Sequence, residues 1–437
     1  MKETIYIRNA RLIDPMGGED RSVSVLVRDG RIASIETEIP GGHSADETAD
    51  RVIDATGWLL FPGFADPHVH FRDPGFTEKE DLMTGAAAAA HGGFTTVIMM
   101  GNTRPHPDTP GRIADVLARA RKTGIRIHTC GNVTYEMAGR ELTDFAALKE
   151  AGAVLLSDDG LPVLDEDLME KACTEAAAVG LPISLHEEDP QFIGQAGIHD
   201  GAVAAQMGLR GASRESEISM VRRDIGLAER TGAVLTVQHI SAKESVELIR
   251  QARARGVRIH AEATPHHFTL TEEAVLKHGS NARMNPPLRE KEDRLAIIQG
   301  IADGTIDMIA TDHAPHTREE KAVEFSKAPS GIIGLETALS LVHRELVQSG
   351  IMTWREAASR LTKAYEVYGL PGGRVTEGAE ADLVLFAPGE TWIPNDETLR
   401  SKARNTPFLG EKLPGVVKLT VCRGSIVHED RKAEKEA

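Results

Sequence analysis

Eight short, nearly continuous apolar runs recur between residues 58 and 310, and the stretches that separate them carry apolar residues at helical spacing. The runs are 58–64, 95–100, 125–129, 153–156, 182–185, 234–237, 257–261 and 306–310. A strand that is apolar on both faces must be covered on both, which is the condition of a parallel sheet wrapped by helices. Eight strand–helix units are the number that closes a (β/α)8 barrel, so the expected fold class is α/β, TIM-like. The connectors agree with this reading. Residues 80–91 include five consecutive alanines, and 165–179 lie between Asp165, suited to an N-cap, and Gly180, suited to a C-terminal left-handed turn. Residues 217–230 and 243–253 also have the helical period.

Outside this block the texture changes. Residues 5–13, 22–27, 31–35 and 51–53 alternate apolar with polar, broken by Gly17-Gly18, Asp29-Gly30 and Gly41-Gly42, and the alternation returns at 381–386, 416–423 and 425–428. A period of two with turn residues between predicts hairpin strands. The expected organisation is a small β-sandwich domain made of residues 1–56 plus 375–437, and a catalytic barrel over 57–374. The charged end, 429–437, is expected to be frayed and solvated.

The residues just past each apolar run carry the chemistry. The first run leads into Asp66-Pro67-His68-Val69-His70-Phe71-Arg72, the second into Gly101-Asn102-Thr103, and the fourth into Ser157-Asp158-Asp159-Gly160. The fifth ends in His186-Glu187-Glu188-Asp189, the sixth in His239, the seventh in His266-His267 and the eighth in Asp312-His313-Ala314-Pro315-His316. Residues at the C-terminal ends of barrel strands all point into one mouth. His68 and His70, two apart on extended backbone, project to the same side and can chelate one ion. Asp159, His186, His239 and Asp312 reach the same rim, giving six nitrogen and oxygen donors of the kind that suit Zn²⁺. Six are too many for one tetrahedral ion, whereas two ions about 3.5–4 Å apart would use them all.

Charge and cysteine content narrow the function classes. The formal net charge is −16, which argues against nucleic acid or an anionic membrane surface as partner, and no stretch approaches 18 apolar residues. Cys130, Cys173 and Cys422 are odd in number and lack C-x-x-C spacing, so neither a disulfide framework nor a thiolate zinc site is expected. The start, Met1-Lys2-Glu3-Thr4-Ile5, places an acid where a secretory leader has an apolar run. A cytoplasmic location is expected.

The strand-end motifs, together with Asn102-Thr103-Arg104-Pro105, Met284-Asn285-Pro286-Pro287-Leu288-Arg289 and Gly331-Ile332-Ile333-Gly334-Leu335-Glu336-Thr337, run in unbroken order from about residue 5 to 430. On these motifs the chain resembles the metal-dependent amidohydrolase superfamily and, within it, the dihydroorotases that use aspartate where relatives carry a carboxylated lysine. The run 125–129 contains no lysine. The resemblance implies two zinc ions per chain, bridged by Asp159 and hydroxide. His68, His70 and Asp312 would hold one ion and His186 and His239 the other, while Asp158 acts as a turn acceptor. It implies reversible hydrolysis of (S)-dihydroorotate to N-carbamoyl-L-aspartate in pyrimidine synthesis, with Asp312 moving the proton. Arg72, two residues beyond His70, emerges on the same side and suits a bidentate grip on a carboxylate; a salt bridge to Asp73 or Glu78 is its alternative. His70, Phe71, Asn102, Asn285, His316, Ser330 and Gly331 complete the implied substrate contacts. Glu319, Glu320 and Lys321 lie in a stretch that is either a lid or a solvated charged loop. A homodimer, and association with aspartate transcarbamoylase, are the implied protein partnerships.

Two departures stand out. Gly101 replaces a usual proline, which is expected to loosen the loop of Asn102, and Glu187 replaces a frequent cysteine, which is expected to add an acid near the metals. Two rival readings share most of these features. One is a dihydropyrimidinase, hydantoinase or allantoinase, whose relatives usually keep the bridging lysine. The other is a non-catalytic homologue that scaffolds aspartate transcarbamoylase, a class that tends to lose metal ligands.

Overall fold

The computed structural model describes residues 2–37 and 49–430. The turn expected at Gly41-Gly42, and the charged end beyond Asp430, lie outside the described residues.

The barrel closes from two parallel ladders. One joins Phe64–Val69, Phe94–Met99 and Arg126–Thr129; the other joins Ile183–Leu185, Leu235–Val237, Ile259–Ala263 and Met308–Ile309. Leu156 bridges Gly131 on one side and Ile183 on the other, and Val69 bridges His313, so the fourth run supplies the eighth stave through single bridges. Its shortness has a reason: Ser157-Asp158-Asp159 turns at once into the mouth, leaving room for one paired residue. The helices match the expected caps. Asp165 accepts from Leu168 N at 3.0 Å ahead of Glu166–Val179, and Gly180 closes that helix in the left-handed region at φ 69°.

The chain ends combine into one eight-stranded sheet, in the order Ser425–Glu429, Leu413–Cys422, Leu383–Trp392, Leu59–Pro62, Ile5–Asp14, Glu19–Arg28, Arg31–Thr37, with Arg51–Asp54 parallel to Ile5–Asp14. Alternation divides its side chains. Leu60, Leu383 and Leu385 join Ile5, Val25 and Leu419 in a core of the sheet's own, while Leu59, Phe61, Val384 and Phe386 face the helices of the barrel. The molecule is therefore a TIM-like barrel carrying a small β-sandwich domain.

One boundary differs from the sequence reading. The first apolar run splits at Gly63: Leu59–Pro62 pairs with Leu383–Trp392 and Ile5–Asp14 in the terminal sheet, and only Phe64–Val69 belongs to the barrel. A Cβ on Gly63 would collide with Thr95, so only glycine lets the chain cross between the layers there. Among the described residues no helix is long and apolar enough to cross a membrane.

A second close approach fixes the helix Leu82–His91 on the barrel. An ideal Cβ at Gly85 would lie 2.5 Å from the ring of Phe71, which is fully buried. Gly85→Ala is expected to cost about 1–3 kcal/mol of stability through this overpacking. Denaturant unfolding measures it, and an unchanged midpoint would mean that the Phe71 ring has room to retreat.

Candidate active site

Each of the six donors, and Arg72, leaves the C-terminal end of a barrel strand, whereas Asn285, Ser330 and Gly331 come from loops; three of the strand-end residues sit on strained backbone. Arg72, His239 and Asp312 adopt φ of 58°, 29° and 47°. For residues with a Cβ this region costs of order 1–3 kcal/mol and persists only where the surroundings enforce it. Beside His239 and Asp312 buried acids hold the backbone. Glu217 accepts from Ser241 N at 3.2 Å and Ala242 N at 3.0 Å, just past His239; Asp66 accepts from His68 N at 3.1 Å and Thr311 N at 3.2 Å, just before Asp312.

The six donors converge. Asp159 is central: its Oδ1 lies 3.6 Å from His68 Nε2 and 3.5 Å from His186 Nδ1, and its Oδ2 lies 3.5 Å from His70 Nε2. His186 Nδ1 is 3.0 Å from His239 Nε2, and Asp312 Oδ1 is 2.9 Å from His70 Nε2 and 3.6 Å from His68 Nε2. Two trios result, His68–His70–Asp159 and Asp159–His186–His239, sharing Asp159. His68 Nε2 and Asp159 Oδ1 are buried without a hydrogen-bond partner. Unsatisfied buried nitrogen and oxygen atoms facing a common centre are what a metal ion would satisfy, and imidazole with carboxylate is the donor chemistry of Zn²⁺ or Mn²⁺.

The outward ring nitrogens are held. His68 Nδ1 faces Glu262 Oε2 at 3.3 Å, His70 Nδ1 faces Asn102 Oδ1 at 2.8 Å, and His186 Nε2 faces Glu188 Oε2 at 3.0 Å. Each contact turns the opposite nitrogen towards the centre. Burial, with His186 and His68 alongside, holds His239 well below the usual imidazole range. Burial opposes ionisation of Asp159, but the field of His68, with His186 and His70 alongside, outweighs it and keeps the carboxyl well below its usual range. Glu262 and Glu188 escaped the sequence reading. Glu262 was visible only as a charge at the end of an apolar strand, and Glu188 as an acid two positions after His186, on the same face. Glu262→Gln is expected to weaken metal affinity about 10–100-fold. Chelator competition measures this, and an unchanged affinity would remove Glu262 from the role of orienting His68.

Arg72, Asn102, Asn285, Ser330 and Gly331 line a cavity of about 130 Å³ that also opens onto His70, Asp159, His186, His239 and Asp312. Arg72 Nε donates to Pro315 O at 3.3 Å, and its guanidinium forms no ion pair with Asp73 or Glu78; Asp73 is taken by Arg119. Asn102 works on the centre itself, since its Nδ2 lies 3.3 Å from Asp159 Oδ2 while its Oδ1 meets His70. Asp158 points away and accepts from Val133 N at 2.9 Å and Thr134 N at 3.0 Å.

Several expectations need correction. Phe71 does not meet the cavity: alternation sends its side chain to the opposite side from His70, where it packs edge-on to His313. His316 is not among the residues that line this cavity: it is buried, its Nε2 2.9 Å from Ser330 O and its Nδ1 without a hydrogen-bond partner. Gly101 does not loosen its loop, because an ideal Cβ there would sit 2.5 Å from Asn132 Nδ2; the glycine allows tight closure. Glu187 is directed away from the donors into a buried pocket with Arg223 and Asp224, where burial and the neighbouring Asp224 raise its pKa well above the usual range. The stretch after His316 exposes Arg318, Glu319, Glu324 and Lys327 but is anchored at several points. Thr317 caps the short helix Arg318–Lys321, Glu320 pairs with Lys79 at 2.7 Å, and the buried Lys321 donates to Pro329 O at 2.9 Å and Gly331 O at 3.0 Å.

Comparison with known proteins places this arrangement. The dihydro-orotase-like family model matches residues 57–245. A dihydroorotase of Clostridium acetobutylicum is 46% identical over 98% of the chain and 100% of its own length. The chain belongs to the dihydroorotase family. A dihydroorotase of Lactococcus lactis, 45% identical over 98% of the chain and 99% of its own length, agrees. The dihydroorotase fold is shared with more distant enzymes: the L-hydantoinase (dihydropyrimidinase) of Arthrobacter aurescens superposes with a TM-score of 0.85 over 98% of the chain and 96% of its own, at 24% identity.

Proposed function

We infer that the chain catalyses the reversible hydrolysis of (S)-dihydroorotate to N-carbamoyl-L-aspartate. The observation that carries this reading is Arg72, which among the described residues forms no ion pair with a carboxylate and opens into the same small cavity as five of the six metal-type donors, His70, Asp159, His186, His239 and Asp312. A cyclic ureide that bears a carboxylate fits such a cavity, with the carboxylate on Arg72 and the ring over the donors.

In this reading two zinc ions would be the cofactor; His68, His70 and Asp312 would hold one, His186 and His239 the other, and Asp159 would contribute to both sets. Bound zinc supplies Lewis acidity and a water of lowered pKa. The chain's own residues do the rest. Arg72 fixes the carboxylate and with it the orientation of the ring. Asn285 and the backbone at Ser330 and Gly331 face the ring amides. Asp312, held 2.9 Å from His70 Nε2, accepts the proton of the attacking water and returns it to the ring nitrogen as the carbon–nitrogen bond breaks. In the reverse direction the same carboxylate takes the proton from the ureido nitrogen as the carbon–nitrogen bond forms and returns it to the departing hydroxyl, which leaves as water. A homodimer in the cytoplasm, associating with aspartate transcarbamoylase, belongs to the same proposal; light scattering with and without that enzyme tests it.

Turnover of dihydroorotate against hydantoin and allantoin tests the function. Dihydroorotate is expected to have the highest kcat/KM. Faster hydrolysis of a substrate without a carboxylate would favour the hydantoinase reading instead. Retention of all six donors speaks against a purely scaffolding homologue.

A further inference from the structure

Part of the cavity wall comes from Ala314, Ser330 and Gly331. Ala314 and Gly331 both line it, and they press so closely that an ideal Cβ on Gly331, whose φ is 122°, would lie 2.7 Å from Ala314 Cβ. The two segments pair directly, Ala314 N donating to Ile332 O at 2.8 Å, and a residue 74 positions beyond Gly331 and 91 beyond Ala314 ties them a second time. Asn405, 3% exposed, donates from Nδ2 to Ala314 O at 2.9 Å and to Gly331 O at 3.0 Å. Its Oδ1 accepts from His316 N at 3.1 Å, and its own carbonyl accepts from Ile333 N at 3.0 Å. Both amide hydrogens and the amide oxygen are thus committed to one wall of the cavity.

Asn405 is delivered there by two buried acids. Glu336 accepts from Arg400 N at 2.8 Å and Ser401 N at 3.1 Å, and Glu80 accepts from Lys402 N at 3.3 Å and from the Ser401 hydroxyl. Glu80 also faces His313 Nε2 at 3.5 Å, so the segment is tied to the strand end that carries Asp312. Sequence position assigns residues 400–406 to the terminal β domain; their hydrogen bonds assign them to the barrel mouth.

We propose that Asn405 is a positioning residue for substrate, setting the backbone wall at Ala314 and Ser330–Gly331 against which the ring of the bound ureide is read. It touches none of the six donors, so its effect falls on substrate affinity and not on metal loading. The inference rests on the cavity being the dihydroorotate site.

The test compares wild type, Asn405→Ala and Asn405→Asp for zinc content, and for KM and kcat on dihydroorotate. Asn405→Asp keeps the size and the acceptor for His316 N but sets an oxygen against two carbonyls, and it serves if the alanine variant does not fold. The expected result is wild-type zinc content, KM raised about tenfold or more, and kcat changed much less, since a small displacement of a positioning wall is costly to binding. A KM within twofold of wild type in a folded variant, a loss of zinc with KM unchanged, or failure of both variants to fold would overturn the proposal. Wild type that does not turn over dihydroorotate would instead overturn the proposed function.

Discussion

Asp312→Asn will lower kcat for dihydroorotate by about 10³-fold or more, because a positioned acid–base group contributes 10²–10⁴-fold and the other carboxylate in the cavity, Asp159, is assigned to the metals between His68, His70 and His186. The amide keeps the shape of the side chain and can still meet His70 Nε2, so the site is expected to hold together. His68, His70, Asp159, His186 and His239 remain, and the protein should therefore keep at least one zinc. Rate and zinc content are measured on the same preparation. Near-normal turnover would show that another group moves the proton; complete loss of zinc would make Asp312 chiefly a ligand.

Arg72→Ala is expected to lower kcat/KM for dihydroorotate about 100-fold, since hydrogen bonds to charged groups contribute about 1.5–3 kcal/mol and a factor of ten is about 1.4 kcal/mol. Turnover of dihydrouracil, which has the same ring without the carboxylate, should change by no more than a few-fold. Arg72→Lys should recover only part of the loss, because an ammonium cannot offer the planar fork. Equal losses on the two substrates would reject Arg72 as the carboxylate grip.

The barrel was legible because its strands are buried on both faces and so read as apolar runs. What the pattern hid lies at its edges. The run 58–64 is uninterrupted in hydropathy, yet its first half faces the terminal sheet, and the only sign of the division is Gly63. The site was legible where chemistry sits next to a strand end: His68, His70, Asp159, His186, His239 and Asp312 all come directly after apolar runs and all meet. Phe71 was misplaced although the alternation that pairs His68 with His70 already turns it the other way. Glu262, Glu217 and Asn405 were out of reach for a different reason. Their partners lie 194, 24 and 91 positions away, in His68, Ser241 and Ala314, and no local pattern encodes such contacts.

Zinc titration of chelated protein, with dihydroorotate hydrolysis and bound zinc followed together, bears most directly on the claim that these imidazoles and carboxylates form a metal-dependent hydrolytic centre. Activity should be absent without metal and return in step with zinc, levelling at about 2 equivalents per chain. Full activity in metal-free protein, or zinc bound to saturation with no hydrolysis of dihydroorotate, would contradict it.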